Sequence, residues 1–216
     1  MQVTLSRPNG LHILMKANLK QLVEDKTLSI FADGLVLQAI EKIEPSTRAS
    51  LTLAEAVHQT ELPQINALLC ALLALDAEVN AVLEEETLVW PLPAFLSYRA
   101  NLPLSKYPLN LLRLPPLNHG GHYLLSSSDE DRHLVARMDI HPHLKVMGHV
   151  RIATVSPTQY PHRLLALEHR LDRQELDEEI IEAAIIAEEK EKSATFTEVE
   201  RAELRRILNR LREATG

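Results

Sequence analysis

The sequence predicts an α+β protein, and three stretches carry that reading. Thr60–Asp76 repeats apolar residues at a helical period, whereas residues 133–152 alternate apolar and polar residues at period two. Beyond Pro161, three further helical stretches close the chain.

In chain order, Leu11–Leu19 and Leu35–Ile43 are short apolar patches separated by Glu24-Asp25-Lys26, with a break at Pro45. Residues 1–50 show no further pattern. Thr52-Leu53-Ala54-Glu55 fits a capping box, so a short helix is expected there. In Thr60–Asp76, Pro63 suits a first-turn position, and Ile65, Leu68, Leu69, Leu72 and Leu73 follow i, i+3, i+4, i+7, i+8. Ala67, Ala71 and Ala74 fill the other side, which predicts a helix buried nearly all round. Glu78–Leu83 and Thr87–Leu92 read as two strands about Glu84-Glu85-Glu86. Pro91, Pro93, Pro103, Pro108, Pro115 and Pro116 then leave room only for a short helical turn and a strand at Asn110–Leu114. Asn118-His119-Gly120-Gly121 marks the expected domain boundary, which divides the chain into residues 1–117 and 118–216.

Past that boundary, Leu134, Ala136, Met138 and Ile140 alternate with His133, Val135, Arg137 and Asp139. Val146, Gly148, Val150 and Ile152 alternate again, giving two half-buried strands. Opposed residues share a face, so a one-residue slip is forbidden. The expected register opposes Ile140 with Leu144, Met138 with Val146 and Leu134 with Val150. It also sets Asp139 opposite Lys145 on a wet face, with His141-Pro142-His143 as the loop. Of the closing helices, the first carries Leu164, Leu167 and Leu171. The second, Asp177 to Lys192, buries Ile180, Ile181, Ala184 and Ile185 and ends in the charged run Glu188-Glu189-Lys190-Glu191-Lys192. The third opens with a capping box, Thr197 to Glu200, and carries Leu204, Ile207, Leu208 and Leu211.

Composition narrows the function. The chain has 216 residues, a net charge of −7 and 6 glycines, where average usage gives roughly 15. Neither GxGxxG nor GxxxxGK[ST] can be assembled from them, which disfavours a generic phosphate loop. A pI near 5.8 without a basic stripe argues against nucleic acid. The longest apolar stretch, Ala67 to Leu75, is far short of the ~20 residues of a membrane span. Cys70 is the single cysteine, which excludes disulfides, zinc ribbons and intrinsic iron–sulfur clusters. Together with an N-terminus that lacks a signal layout, this places the chain in the cytoplasm.

No catalytic, cofactor-binding or metal-binding residue is predicted from the residues themselves. Eight histidines fall between His119 and His169: His119, His122, His133, His141, His143, His149, His162 and His169. No HxxxH or HExxH occurs, His133 and His149 fall on the polar sheet face, and His162 and His169 fall on a helix. They read as scattered surface residues. Ser126-Ser127-Ser128-Asp129-Glu130-Asp131 lacks a GxSxG elbow and reads as a solvated loop. Cys70 reads as a buried small hydrophobe, and Glu84-Glu85-Glu86 with the acidic second helix as solvated faces.

Leu72-Leu73-Ala74-Leu75-Asp76-Ala77-Glu78-Val79, Trp90-Pro91-Leu92-Pro93-Ala94-Phe95-Leu96 and Leu111-Leu112-Arg113-Leu114-Pro115-Pro116 resemble segments of one known family: the flavoprotein (medium, FAD-binding) subunits of the xanthine dehydrogenase and carbon monoxide dehydrogenase group. Ala136-Arg137-Met138, Val150 to Thr158, Leu176 to Ala184 and Arg205-Arg206-Ile207-Leu208 continue the resemblance, which covers Pro63 to Gly216 in order. It implies the remnant of a flavin-binding α+β domain, then a three-stranded antiparallel sheet packed with three helices. The departures fall where such relatives hold FAD. Near the first glycine-rich loop only Pro8-Asn9-Gly10-Leu11 stands, ahead of Ile13-Leu14-Met15-Lys16, and the second loop has no counterpart. The family's flavin-approaching acid falls on Ala67, and its lysine falls on Leu125 when Tyr123 is aligned with the family's aromatic residue.

The resemblance therefore implies a truncated, flavin-lacking relative that acts as a structural or assembly partner. Its partners would be a molybdopterin-containing large subunit and an iron–sulfur small subunit, and no cofactor is predicted for the chain itself. Two alternatives stand beside it: an FAD-binding electron-transfer subunit of such an oxidoreductase, and a free-standing homodimer that binds a small ligand.

Overall fold

A computed structural model describes residues 2–6, 9–59, 62–83, 86–117, 121–129, 132–140, 147–156, 159–175, 177–192 and 196–213. It is α+β, with two antiparallel sheets. The first comprises β1 (Val3–Ser6), β2 (Gly10–Leu14), β3 (Glu78–Leu83), β4 (Glu86–Pro91) and β5 (Leu109–Leu114), in the order β1-β2-β5-β3-β4. The second is a meander of β6 (Gly121–Asp129), β7 (Arg132–Ile140), β8 (Met147–Ser156) and β9 (Gln159–Arg163).

Between β2 and β3 run six short helices: α1 (Leu19–Val23), α2 (Lys26–Ile30), α3 (Leu35–Glu41), α4 (Pro45–Ser50), α5 (Leu53–His58) and α6 (Asn66–Ala74). Local capping explains most of their starts. Asn18 accepts from the backbone N–H of Lys20 at 2.9 Å, Asp25 accepts from that of Thr27 at 2.8 Å, and Pro45 sits in the first turn of α4. The Thr52–Glu55 capping box forms as expected: Thr52 N–H and Oγ1 both donate to Glu55 Oε2 at 2.8 Å. Every residue of α6 from Ala67 to Ala74 is buried, matching the apolar-all-round reading.

Between α2 and α3, Ala32, Asp33 and Gly34 stand in succession in the left-handed region, at φ 51°, 52° and 71°. Only the glycine is at ease there. Gly10 begins β2 at φ +81°, and a Cβ built on it would lie 2.0 Å from the Leu114 carbonyl oxygen.

The β3–β4 pair and β5 stand where expected. The prolines after Pro91 admit more than a helical turn: α7 (Leu92–Tyr98) buries Leu92 and Phe95, with Pro93 in its first turn. In the second sheet four corrections are needed. First, among the described residues the sheet has four strands rather than three. The additional strand is β9, which contains Pro161 and lies at the sheet edge, where a missing N–H is tolerated. This also moves His162 from the expected helix into a strand. Second, Ser126–Asp129 belongs to β6 and is not a loop; residues 130 and 131 lie outside the described residues.

Third, β7 and β8 pair, but Leu134 faces Thr154 and Ala136 faces Ile152. Asp139 faces Gly148 rather than Lys145. The register is displaced because His149 and Val150 together oppose Met138, a β-bulge at which His149 takes φ +50°. The expected loop His141-Pro142-His143 and the Leu144, Lys145 and Val146 positions lie outside the described residues.

Fourth, the expected wet face is dry. His133, Val135, Arg137 and Asp139 are all buried, as are Ala153 and Val155. Leu134, Ala136, Met138, Val150 and Ile152 share a core with α8 (Leu165–Leu171), α9 (Glu178–Lys192) and α10 (Glu198–Glu213). On the opposite side, Val135, Ala153 and Val155 join the larger core that contains α6 and the first sheet. The strands are buried on both sides, and their polar alternation reflects ion pairing inside the protein.

The closing helices follow the sequence closely. Leu164, Leu167 and Leu171, then Ile181, Ala184 and Ile185, then Leu204, Ile207, Leu208 and Leu211 are buried. Ile180 packs against them at the margin. Glu188 departs from the expected charged helix end: it is buried, and its Oε2 accepts the backbone N–H of Leu167 at 3.0 Å. The acidic helix is likewise not merely a solvated face, since Glu182 pairs with Arg205 and Glu189 with Arg201. Among the described residues, no helix is long and apolar enough to cross a membrane.

Candidate functional site

The densest arrangement of charge lies where α6 hands over to β3. Helix α6 ends in a Schellman motif: Ala77 N–H donates to Leu72 O at 3.0 Å and Asp76 N–H to Leu73 O at 3.2 Å. Asp76 takes the left-handed position, φ +52°, that such an ending requires. Its carboxylate meets the face of the second sheet. Arg151 Nε donates at 2.9 Å and Arg163 Nη1 at 2.9 Å, with Arg137 Nη1 at 3.7 Å.

The network continues outward from these arginines. Arg163 Nε donates to Glu168 Oε1 at 2.9 Å, and the same oxygen accepts the backbone N–H of Ile152 at 2.8 Å. Arg137 pairs with Asp139 at 3.3 Å. Three guanidinium groups thus stand against three carboxylates, with Arg137, Asp139 and Glu168 buried. Burial pushes the Arg163 guanidinium down, but its hydrogen bond and charge contact with Glu168, and then Asp76, outweigh this and hold it above its ordinary value. Nearby, burial drives the Tyr123 phenol up to about 12; Arg137 pulls it down, while Asp139 and Asp33 push it further up. The network's arginine–carboxylate pairs are charge-assisted hydrogen bonds of the kind that fix geometry. The arrangement clamps one layer to another and contains no activated nucleophile.

Two concavities lie beside this clamp. One, of about 660 Å³, is bordered by Arg151, Glu168, His169 and Arg170. The other, of about 580 Å³, runs between α7 and β9 and is bordered by Leu96, Arg99, Tyr160 and Arg163.

The sequence-singled residues fall elsewhere and do not converge. His133 is buried rather than superficial, His149 is exposed at the bulge, and His169 is on α8. Among the described residues no group of His, Cys, Asp or Glu could hold a metal. His119, His141 and His143 lie outside those residues. Ser126 is buried against α10, where Glu203 and Arg206 both hydrogen-bond it. Burial pushes Glu203 up, yet its bonds to Ser126 and Arg206 leave it below the usual glutamate value. Cys70 is buried within α6, which pushes its thiol up and makes it inert.

The residues that the sequence resemblance aligns with a flavin cradle do not fit FAD. Gly10 stands in a strand of the first sheet, paired with Ser6 and with its α-carbon against Leu114 O, rather than in an open glycine-rich loop. Ala67 is wholly buried inside α6, and Leu125 packs against the larger core.

No family model matches the sequence, and no curated protein matches it. The fold is more informative. It is similar to a chain of carbon monoxide dehydrogenase from Hydrogenophaga pseudoflava lacking the Mo-pyranopterin moiety of its cofactor, with a TM-score of 0.73 and 16% identity. That match covers 86% of this chain and 65% of the other, so the chain spans just under two thirds of its length. It is equally similar to a chain of quinoline 2-oxidoreductase from Pseudomonas putida 86, with a TM-score of 0.73, 11% identity, and 99% and 77% of the two chains covered. The chain shares the fold of these two chains. A third match, to reconstituted CO dehydrogenase from Oligotropha carboxidovorans, has a TM-score of 0.70 and 12% identity over 98% of this chain and 75% of the other. Within this fold, Asp76, Arg137 and Arg151 all lie in segments whose sequence resembles the family, yet nothing in their spacing announces the clamp. Its members meet only when α6 packs on the second sheet. Arg163 and Glu168 carry no sequence signal at all.

Proposed function

We propose that the chain is a non-catalytic, flavin-lacking relative of the medium subunit of a molybdenum hydroxylase, acting as a structural or assembly partner. The observation that carries this reading is Gly10: the one glycine near the position that the resemblance gives to the first cradle loop is a strand residue, its α-carbon packed against Leu114 O. The absence of a carboxylate at Ala67 and of a lysine at Leu125 supports it. In this reading residues 1–117 form a shortened flavin-domain-like region and residues 118–216 the C-terminal domain. The Asp76 clamp holds the two together, so that a docking surface persists without the cofactor. The partners are a molybdopterin-containing large subunit and an iron–sulfur small subunit, with a homodimer as the alternative.

The purified protein, incubated with FAD and desalted, should remain colourless and show no flavin absorbance. A yellow, stoichiometric holoprotein would overturn the reading. Co-expression with the large and small subunits of such an enzyme should recover a complex containing all three chains.

A further inference from the structure

Arg99 ends α7 with its side chain in the cleft of about 580 Å³ between that helix and β9. The residue is 6% exposed. Its guanidinium carbon lies 5.3 Å from the centre of the Tyr160 ring. Among the described residues, no carboxylate or carbonyl accepts a hydrogen bond from that guanidinium. Its neighbour on the same wall differs: Arg163 is engaged by Asp76 and Glu168. A buried cation with no counter-ion is costly, and a cation–π contact offsets only part of that cost. Burial accordingly lowers the affinity of Arg99 for its proton, against a smaller opposing effect of Tyr160.

Beyond Arg99 the cleft wall is mainly apolar, with Ser97, His162 and the paired Arg163 as its other polar members. Pro93, Leu96, Pro161 and Leu165 border it, and Tyr160 and Leu165 are 67% and 60% exposed. Its volume falls within the roughly 300–1,000 Å³ of small-molecule sites, and a few polar groups in an apolar wall are what orient a ligand there. A guanidinium fork matches the two oxygens of a carboxylate. With no carboxylate hydrogen-bonded to it among the described residues, the single charge of Arg99 balances a monoanion and leaves a phosphate dianion half-neutralised.

We propose that the cleft between α7 and β9 binds a small carboxylate with an apolar or aromatic body, its anionic end on Arg99 and its body along Leu96, Pro93 and Leu165. The proposal is independent of whether the chain binds flavin or partner subunits.

Calorimetric titration with 2-naphthoate as the probe tests it. Saturable one-to-one binding is expected, weakened at least tenfold in Arg99→Gln and absent for the neutral 2-naphthylmethanol. Equal binding by Arg99→Gln, equal binding of the alcohol, or no saturable binding by the wild type would each overturn it. Tighter binding of naphthyl phosphate than of naphthoate would overturn the carboxylate assignment. Should Arg99→Gln fail to fold, Tyr160→Ala and Leu96→Glu are titrated instead, and undiminished affinity in both would overturn the proposal.

Discussion

Asp76 and Arg151 meet where the end of α6 packs on β8, with Arg151 Nε 2.9 Å from Asp76 Oδ1 and 3.0 Å from Oδ2. The contact joins residues 75 positions apart in sequence. It is made possible by a backbone conformation, since only a left-handed residue at the end of α6 brings this carboxylate to the sheet.

Charge and conformation at Asp76 are separable. Asp76→Asn keeps a residue that tolerates the left-handed region but removes the charge facing Arg137 and Arg163. We expect a loss of about 1–3 kcal/mol in denaturant unfolding, below the full penalty of a broken buried pair because Asp76 is partly exposed. Asp76→Ala, which adds backbone strain, should lose roughly 1 kcal/mol more.

Two small-residue exchanges should have opposite signs. Gly10→Ala forces a Cβ onto Leu114 O at a positive φ and should cost about 2–4 kcal/mol. Ala32→Gly relieves a left-handed alanine and should stabilise by up to roughly 1 kcal/mol, against the usual cost of glycine in a helix. Thermal melts of the two variants check both.

Cys70 should resist thiol reagents in the native protein. Burial pushes its thiol above the ordinary value, so little thiolate forms. Modification should occur only through unfolding, and its rate should rise with denaturant in step with the unfolded fraction. Fast labelling in buffer would contradict the buried α6.

The Thr52–Glu55 box imparts a specific acid sensitivity. The backbone N–H of Thr52, then its hydroxyl, hold the Glu55 carboxyl below its ordinary value of 4.5, against slight burial. A depressed folded-state value means the box stabilises fully above the unfolded value and is lost as pH falls through the folded one. Glu55→Gln should therefore be less stable than wild type at neutral pH, with the difference shrinking below about pH 4. A constant difference across that window would contradict the assignment.

The elements whose periodicity is complete within themselves were legible in the sequence. Helix α6, the β3–β4 pair, β5 and the apolar stripes of α9 and α10 follow from local spacing, and both capping boxes form. The register of β7 with β8 was not legible, because a bulge at His149 is a backbone choice that no apolar alternation records. Nor was the fourth strand, since Pro161 at an edge reads like Pro161 at a break. The clamp was the least accessible part. Arg137 and Arg151 look like the solvent side of a half-buried sheet until a second layer covers them, and Arg99 looks like an ordinary helix end.

Strand β7 is read from both directions: Val135 answers to α6 and Ala136 to the closing helices. A substitution on a half-buried strand has one neighbour to satisfy, but on this strand successive residues answer to two different neighbours. The strand thus leaves few neutral routes for sequence drift, whatever ligand the fold gains or gives up. Divergence can run through the helices at the start of the chain while the strand that ties the two layers together holds its pattern.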